Sequence, residues 1–209
     1  MFIVLIGAPG AGKGTQGQFL AKKLHLSYLS TGDMFRSIIE KQEPEGKLMN
    51  DYSSQGKLVP TDLVNKIVYK FLLMDEYQDN CILDGYPRNL AQAKFLDSKI
   101  VNEVKAIYFE VSETIAKQRI LGRFSCAVCL KTYNKYYAQP KVADICDICG
   151  SNKFIHRTDD DEITINKRMQ EYKIETQPMI QYYRDCNKLL TVDANLGQDQ
   201  ISSTLLSLL

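Results

Sequence analysis

Lys13 stands near the end of a glycine-rich stretch, Gly7-Ala8-Pro9-Gly10-Ala11-Gly12-Lys13-Gly14-Thr15, that follows directly on the apolar residues 2–6. An apolar run that short, breaking into glycines, is a buried strand entering a tight loop, and a helix is expected to open at about Lys13. The spacing is the phosphate-binding pattern GxxxxGK in its context of strand, loop and helix. The glycines let backbone N–H groups converge on one point, the helix aims its positive dipole end there, and Lys13 adds a full charge. One detail departs from the general motif: Gly14 follows the lysine and the hydroxyl is delayed to Thr15. A glycine-rich turn without a ligand is the competing reading.

A second group is Cys126-Ala127-Val128-Cys129, then sixteen residues, then Cys146-Asp147-Ile148-Cys149. Each pair forms a knuckle able to present two thiolates to one tetrahedral ion. Four sulfurs leave no open position for a reactive water, so a zinc ion here would be structural and would hold a lobe with too little core of its own. Two disulfides or an iron site compete. Cys81, in an expected strand, and Cys186, on an expected helix, are taken as packing residues.

The third group is Ile82-Leu83-Asp84-Gly85-Tyr86-Pro87-Arg88. An aspartate at the carboxyl end of a buried strand is where a phosphate-loop protein places its magnesium-directed carboxylate. A helix cap or turn role for Asp84 is the alternative. Arginines recur at element boundaries, at 36, 88, 119, 123, 157 and 168. The spacing of four puts Arg119 and Arg123 on one helical face, and guanidinium forks match phosphoryl oxygens. Any one of them taken alone is a solvated surface residue.

The elements that must position these groups alternate. Apolar, β-rich runs cover residues 2–6, 26–29, 81–83, 106–111 and 189–192, with helical patterns between most of them. Thr61 or Asp62 is expected to cap a helix with Leu63, Val64, Ile67, Val68, Phe71 and Leu72 on its apolar face. Ser112 is expected to open another with Ile115, Ala116 and Ile120 inward, and a long helix is expected from near Asp160. The implied fold is α/β, a parallel five-stranded sheet flanked by helices. Residues 31–60 and 122–159 interrupt the alternation and are expected to project as two inserted lobes.

Composition narrows the function. Of 209 residues 44% are hydrophobic, and 26 Lys and Arg nearly balance 25 Asp and Glu. Bulk charge therefore does not suggest a nucleic-acid or membrane-surface partner. No apolar run reaches membrane-spanning length, and the first residues lack the basic start of a signal peptide. A cytoplasmic location is expected, with cysteines used as thiols or metal ligands.

Taken together, the chain resembles the adenylate kinase family, of the bacterial type with a metal-bearing lid. The resemblance is carried by the glycine stretch, by Leu29-Ser30-Thr31-Gly32-Asp33-Met34, Gly56-Lys57-Leu58-Val59-Pro60 and Leu83-Asp84-Gly85-Tyr86-Pro87-Arg88. Gly122-Arg123, the four cysteines and Arg157-Thr158-Asp159-Asp160 extend it. Gly14-Thr15 is itself that family's form of the loop. The resemblance implies ATP + AMP ⇌ 2 ADP with Mg2+ on ATP, a structural Zn2+ on Cys126, Cys129, Cys146 and Cys149, and a monomer. It implies a core of residues 1–29, 60–121 and 160–209, an AMP-binding insertion of residues 30–59, and a zinc-binding lid of residues 122–159. ATP would lie on Gly10, Ala11, Gly12, Lys13, Gly14, Thr15, Arg123, Thr132, Tyr133 and Leu196. AMP would lie against Thr31, Arg36, Lys57, Leu58, Val59, Gly85, Tyr86, Pro87, Arg88, Gln92, Arg157 and Arg168. Catalytic roles would fall to Lys13, Asp84, Arg88, Arg119, Arg123, Arg157 and Arg168. Three positions depart from the family pattern: Phe124 where a second arginine is frequent, and Leu130 and Ala194 where glycine is. Another nucleoside monophosphate kinase, for UMP, CMP or GMP, is the near alternative. A zinc-ribbon nucleic-acid-binding NTPase is the remote one.

Overall fold

The computed structural model describes residues 1–100 and 103–209. The chain runs through β1 (Phe2–Gly7), α1 (Lys13–Leu24), β2 (Ser27–Ser30), α2 (Thr31–Glu40), α3 (Gly46–Ser53), α4 (Thr61–Leu72), β3 (Cys81–Asp84), α5 (Leu90–Lys99) and β4 (Val104–Glu110). It continues through α6 (Glu113–Leu121), β5 (Arg123–Cys126), β6 (Thr132–Asn134), β7 (Phe154–Ile155), α7 (Glu162–Glu171), α8 (Pro178–Asp185), β8 (Leu189–Asp193) and α9 (Gln198–Leu208). The main sheet has the order β2-β3-β1-β4-β8, every pair parallel.

All six residues of β1 are buried because the strand is covered on both faces. Side chains alternate across the sheet. Phe2, Val4 and Ile6 enter a core with Val64, Val68, Leu96 and Tyr183. Ile3 and Leu5 enter a second core with Leu20, Ile107, Ile201 and Leu205. After β1 the chain builds toward β2, and after β3 it crosses to β4 on the other side of β1. That reversal opens a crevice at the carboxyl ends of β1 and β3, where ligands of parallel sheets bind.

The segment of β5, β6 and β7 forms a separate antiparallel sheet, order β6-β5-β7. Its core is small: Cys126, Tyr133 and Cys146 with Phe124, Cys129 and Phe154 packed against them. Phe124 stacks on Tyr133 with ring centroids 5.7 Å apart, so the aromatic residue at this departure from the family pattern serves the lobe's interior.

Four expectations need correction. Arg119 and Arg123 do not share a helical face, because α6 ends at Leu121, Gly122 caps it, and the chain turns into β5. The long helix expected from near Asp160 does open there, at Glu162 with Asp161 accepting from Thr164 N, but it is not one regular helix, because a π-helical turn at Tyr172–Thr176 separates α7 from α8. Pro60, with no side-chain hydrogen bond, occupies the cap of α4, and Thr61 is its first residue. Cys186 is exposed where α8 ends, not packed.

Candidate active site

The loop after β1 delivers Lys13 to the crevice. Gly10 and Gly12 take left-handed backbone, φ 81° and 88°, which turns successive N–H groups inward before α1 opens. Lys13 Nζ donates to the carbonyls of Gly7 at 2.7 Å and Ala8 at 2.9 Å, so the ammonium is folded back over the loop. Burial lowers its pKa from 10.5 to about 8; Asp84 opposes the fall, and Arg88, Arg168 and Arg123 add to it. Thr15, two residues further along α1, is exposed.

The end of β3 supplies the opposite wall. Asp84 follows the buried Cys81, Ile82 and Leu83, and its Oδ2 accepts from the Tyr28 hydroxyl at 2.7 Å. Gly85 has φ 79°, and a Cβ there would lie 2.6 Å from Thr31 Oγ1 and 3.1 Å from an Arg88 nitrogen. Only glycine fits that close approach. Arg88 Nε donates to the Gly85 carbonyl at 2.8 Å. Gln92, buried, accepts from Arg88 N at 2.7 Å, and Thr176 Oγ1 donates to the Arg88 carbonyl at 2.7 Å. Tyr86 is buried with its hydroxyl on Asn65 Oδ1 at 2.8 Å, and Val59 is buried as well. Leu58 N donates to Glu171 Oε1 at 3.1 Å, tying the loop of Lys57, Leu58 and Val59 to α7.

Charge is concentrated here. Arg123 donates through two nitrogens to Asp160, at 2.8 and 2.5 Å, and Arg168 donates to Asp159 at 3.0 Å. Arg36 pairs with Asp33. Burial lowers the pKa of Arg157 to about 10, and the charges of Arg123 and Arg36 reinforce it. Burial likewise lowers Arg88, which also feels Arg168 and Arg36. Lys13, Arg36, Arg88, Arg123, Arg157 and Arg168 thus share one field.

Arg119 stands apart from that field. It donates to the carbonyls of Ala194 at 2.7 Å and Leu196 at 3.2 Å and lies over the Tyr137 ring. Leu196 is exposed beside it, and Thr132 is exposed at the start of β6. The Tyr133 phenol turns inward, donating to Cys146 Sγ at 3.4 Å and accepting from Asp147 N at 2.8 Å.

Cys126, Cys129, Cys146 and Cys149 bring their sulfurs within 4.8 Å of one another. Cys126 and Cys149 are 3.5 Å apart, Cys129 and Cys146 3.4 Å, and all four are free thiols. Tetrahedral bonds of about 2.3 Å to zinc set sulfurs about 3.8 Å apart, so the donor set fits a four-coordinate ion.

Sequence reasoning missed Tyr28, Glu171 and Thr176. None stands in a motif, and their partners lie 56, 113 and 88 residues away. It also gave no role to Asp159 and Asp160, since an acidic run before a helix has capping as its sufficient explanation. Only Asp161 caps.

A parallel sheet whose first turn presents glycine N–H groups and a lysine, facing an aspartate from the next strand and a ring of arginines, defines a P-loop phosphotransferase. A family model described as adenylate kinase matches residues 5–188. The adenylate kinase of Rickettsia africae (strain ESF-5) is 47% identical over 201 residues, 96% of this chain and 95% of that protein. That of Rickettsia bellii (strain RML369-C) is 45% identical over 201 residues, again 96% and 95%. That of Rickettsia prowazekii (strain Madrid E) is 43% identical over 210 residues, 100% and 99%. The chain belongs to the adenylate kinase family.

Proposed function

We propose that this chain catalyses ATP + AMP ⇌ 2 ADP in the crevice between the Lys13 loop and the Gly85–Arg88 turn, with magnesium entering on ATP. The observation that carries the assignment is the shared field of Lys13 with Arg36, Arg88, Arg123, Arg157 and Arg168. An AMP phosphate is largely ionised near neutrality, with a second pKa of about 6, so its oxygen attacks without a general base. The difficulty is to bring two polyanions into line. Lys13 and the arginines offset that repulsion and stabilise the transferring phosphoryl group. ATP lies on Gly10 through Thr15, Arg123, the Thr132–Tyr133 backbone and Leu196. AMP lies against Thr31, Arg36, Lys57, Leu58, Val59, Gly85, Tyr86, Pro87, Arg88, Gln92, Arg157 and Arg168. Arg119 holds the Ala194 and Leu196 carbonyls and acts from the ATP side. Asp84 serves the magnesium that accompanies ATP.

In this reading residues 30–59 are the acceptor lobe, residues 122–159 the lid, and the remainder the core. Zinc on the four cysteines makes the lid a rigid body, so motion concentrates at its ends. Closure over both nucleotides excludes water, the competing acceptor. We assign a cytoplasmic monomer, without nucleic-acid or membrane partners. Free thiols support a reducing compartment, and among the described residues no helix is long and apolar enough to cross a membrane.

Purified protein with Mg-ATP and each of AMP, UMP, CMP and GMP, with diphosphates quantified, tests the assignment. AMP is expected to be the preferred acceptor. Equal or greater turnover with a pyrimidine nucleotide or GMP overturns it. Zinc content of the same sample tests the lid.

A further inference from the structure

We infer that Tyr28 is a positioning residue for Asp84, and that Gly17 is the vacancy in α1 that lets its ring take that place. The inference rests on the reading of Asp84 as the carboxylate facing the magnesium of ATP.

β2 lies beside β3 in parallel register, with Tyr28 opposite Ile82 and Ser30 opposite Asp84. From two residues back on the edge strand, the phenol reaches along the crevice and donates to Asp84 Oδ2 at 2.7 Å. A carboxylate tied at one oxygen by a fixed donor loses the rotation it would otherwise sample. Such outer partners orient groups that face metal ions.

The ring needs room, and α1 supplies it. Gly17 is a buried interior residue of α1, where glycine disfavours the helix by about 1 kcal/mol relative to alanine. A Cβ there would lie 2.7 Å from Tyr28 Cε2 and 2.7 Å from Leu5 Cδ1. Both are closer than packed atoms come, so a side chain at position 17 would have to displace the tyrosine ring and the end of Leu5, which accounts for the poor helix former there. A Cβ on Gly14 would meet Asp84 Oδ2 at 3.3 Å and the Tyr28 hydroxyl at 3.6 Å. The pair therefore lies beside the position where the general loop motif carries a hydroxyl side chain. Gly14, Gly17, Tyr28 and Asp84 form one packed unit, although they come from a helix and two strands.

The test is the affinity of manganese, in place of magnesium, for the protein saturated with a bisubstrate of two adenosines joined by five phosphates. Free ion is read by its electron paramagnetic resonance signal. Tyr28→Phe keeps the ring and removes only the donor. It is expected to weaken manganese about tenfold, the low end of what outer partners of metal-directed ligands contribute. Its melting temperature and its metal-free affinity for the bisubstrate should match those of the parent protein. Unchanged manganese affinity in Tyr28→Phe overturns the inference. An equal loss of metal-free bisubstrate affinity also overturns it, because the phenol would then serve the pocket's shape. Asp84→Asn separates this from the underlying reading: if that variant keeps full manganese affinity, the role given to Asp84 fails. Gly17→Ala should weaken manganese as Tyr28→Phe does and add little to it in the double variant. Parent-like affinity in Gly17→Ala overturns the packing half.

Discussion

Lys13 offers a direct measure of the electrostatics of the crevice, because its proton count changes when a phosphate arrives. Burial, with neighbouring guanidinium charges, holds its pKa at about 8 against 10.5. At about 1.4 kcal/mol per pH unit, that fall corresponds to about 3 kcal/mol of preference for the neutral amine. Between about pH 8 and 10.5 the folded, nucleotide-free chain binds fewer protons here than the unfolded chain. Stability therefore rises with pH through that window, and the whole penalty stands below pH 8. A bound phosphate reverses the balance by placing negative charge against the ammonium.

At pH 8.5 about three-quarters of empty sites carry a neutral lysine, and at pH 7 about one-tenth do. Binding of ATP, itself fully ionised at the higher pH, should take up about 0.75 proton at pH 8.5 and about 0.1 from Lys13 at pH 7. Calorimetric titrations in buffers of contrasting ionisation enthalpy read this number directly. Lys13→Met should abolish the uptake at pH 8.5. Uptake near zero in the parent protein at pH 8.5, or equal uptake in the variant, would refute the argument.

Three further outcomes follow from individual contacts. Leu130 closes the first knuckle with φ 60°, the position that Gly150 fills in the second with φ 71°. Leucine there is disfavoured by about 1–2 kcal/mol, and glycine forfeits about 0.4–1 kcal/mol through the unfolded chain. The net gain is about 0–1.6 kcal/mol, so Leu130→Gly should hold or raise the melting temperature, by up to about 6 °C, and a calorimetric scan showing a fall would contradict this. Gly85→Ala forces a Cβ to within 2.6 Å of Thr31 Oγ1. It should raise the KM for AMP about tenfold or more while leaving the ATP dissociation constant near its parent value, and steady-state kinetics with each nucleotide varied would reveal otherwise. Cys129→Ala should remove the lid metal and lower the melting temperature by at least about 5 °C, at about 2–4 °C per kcal/mol in a chain of this size. Turnover in the cold should change far less; a selective loss of turnover with unchanged melting would count against a structural metal.

The parts of the site legible in the sequence are those whose chemistry is local. The glycine turn, the knuckles and Asp84-Gly85 are continuous strings, and a string specifies its own backbone. Alternation of apolar runs with helical patterns was enough for a five-stranded parallel sheet, because β1 and β3 are buried on both faces and carry almost no polar residue. Contacts between distant strings were not legible. Arg119 and Arg123 are four positions apart, but a cap at Gly122 sends one toward Ala194 and the other toward Asp160. The π-helical turn that places Thr176 under Arg88 left no mark either, since its residues are compatible with continuous helix. Cys186 illustrates a weaker rule: thiols are usually buried, but a residue at a helix end follows the geometry of the end.

The acidic residues Asp159 and Asp160 explain how so much like charge persists in a folded chain. Six cationic side chains in one field would repel one another strongly in a partly dry crevice. Asp160, only 6% exposed at its side chain, takes both Arg123 and Arg168, and Asp159 takes Arg168 again. These carboxylates occupy the arginines as phosphates would, but from residues just after Arg157, at the edge of the proposed lid. Separating a buried pair without replacement is expensive, so the arginines remain paired until an anion of comparable charge is offered. A nucleotide phosphate meets that condition, and a water molecule does not. On this view the same pairing that holds the crevice together also weights it toward the two nucleotide substrates and against hydrolysis.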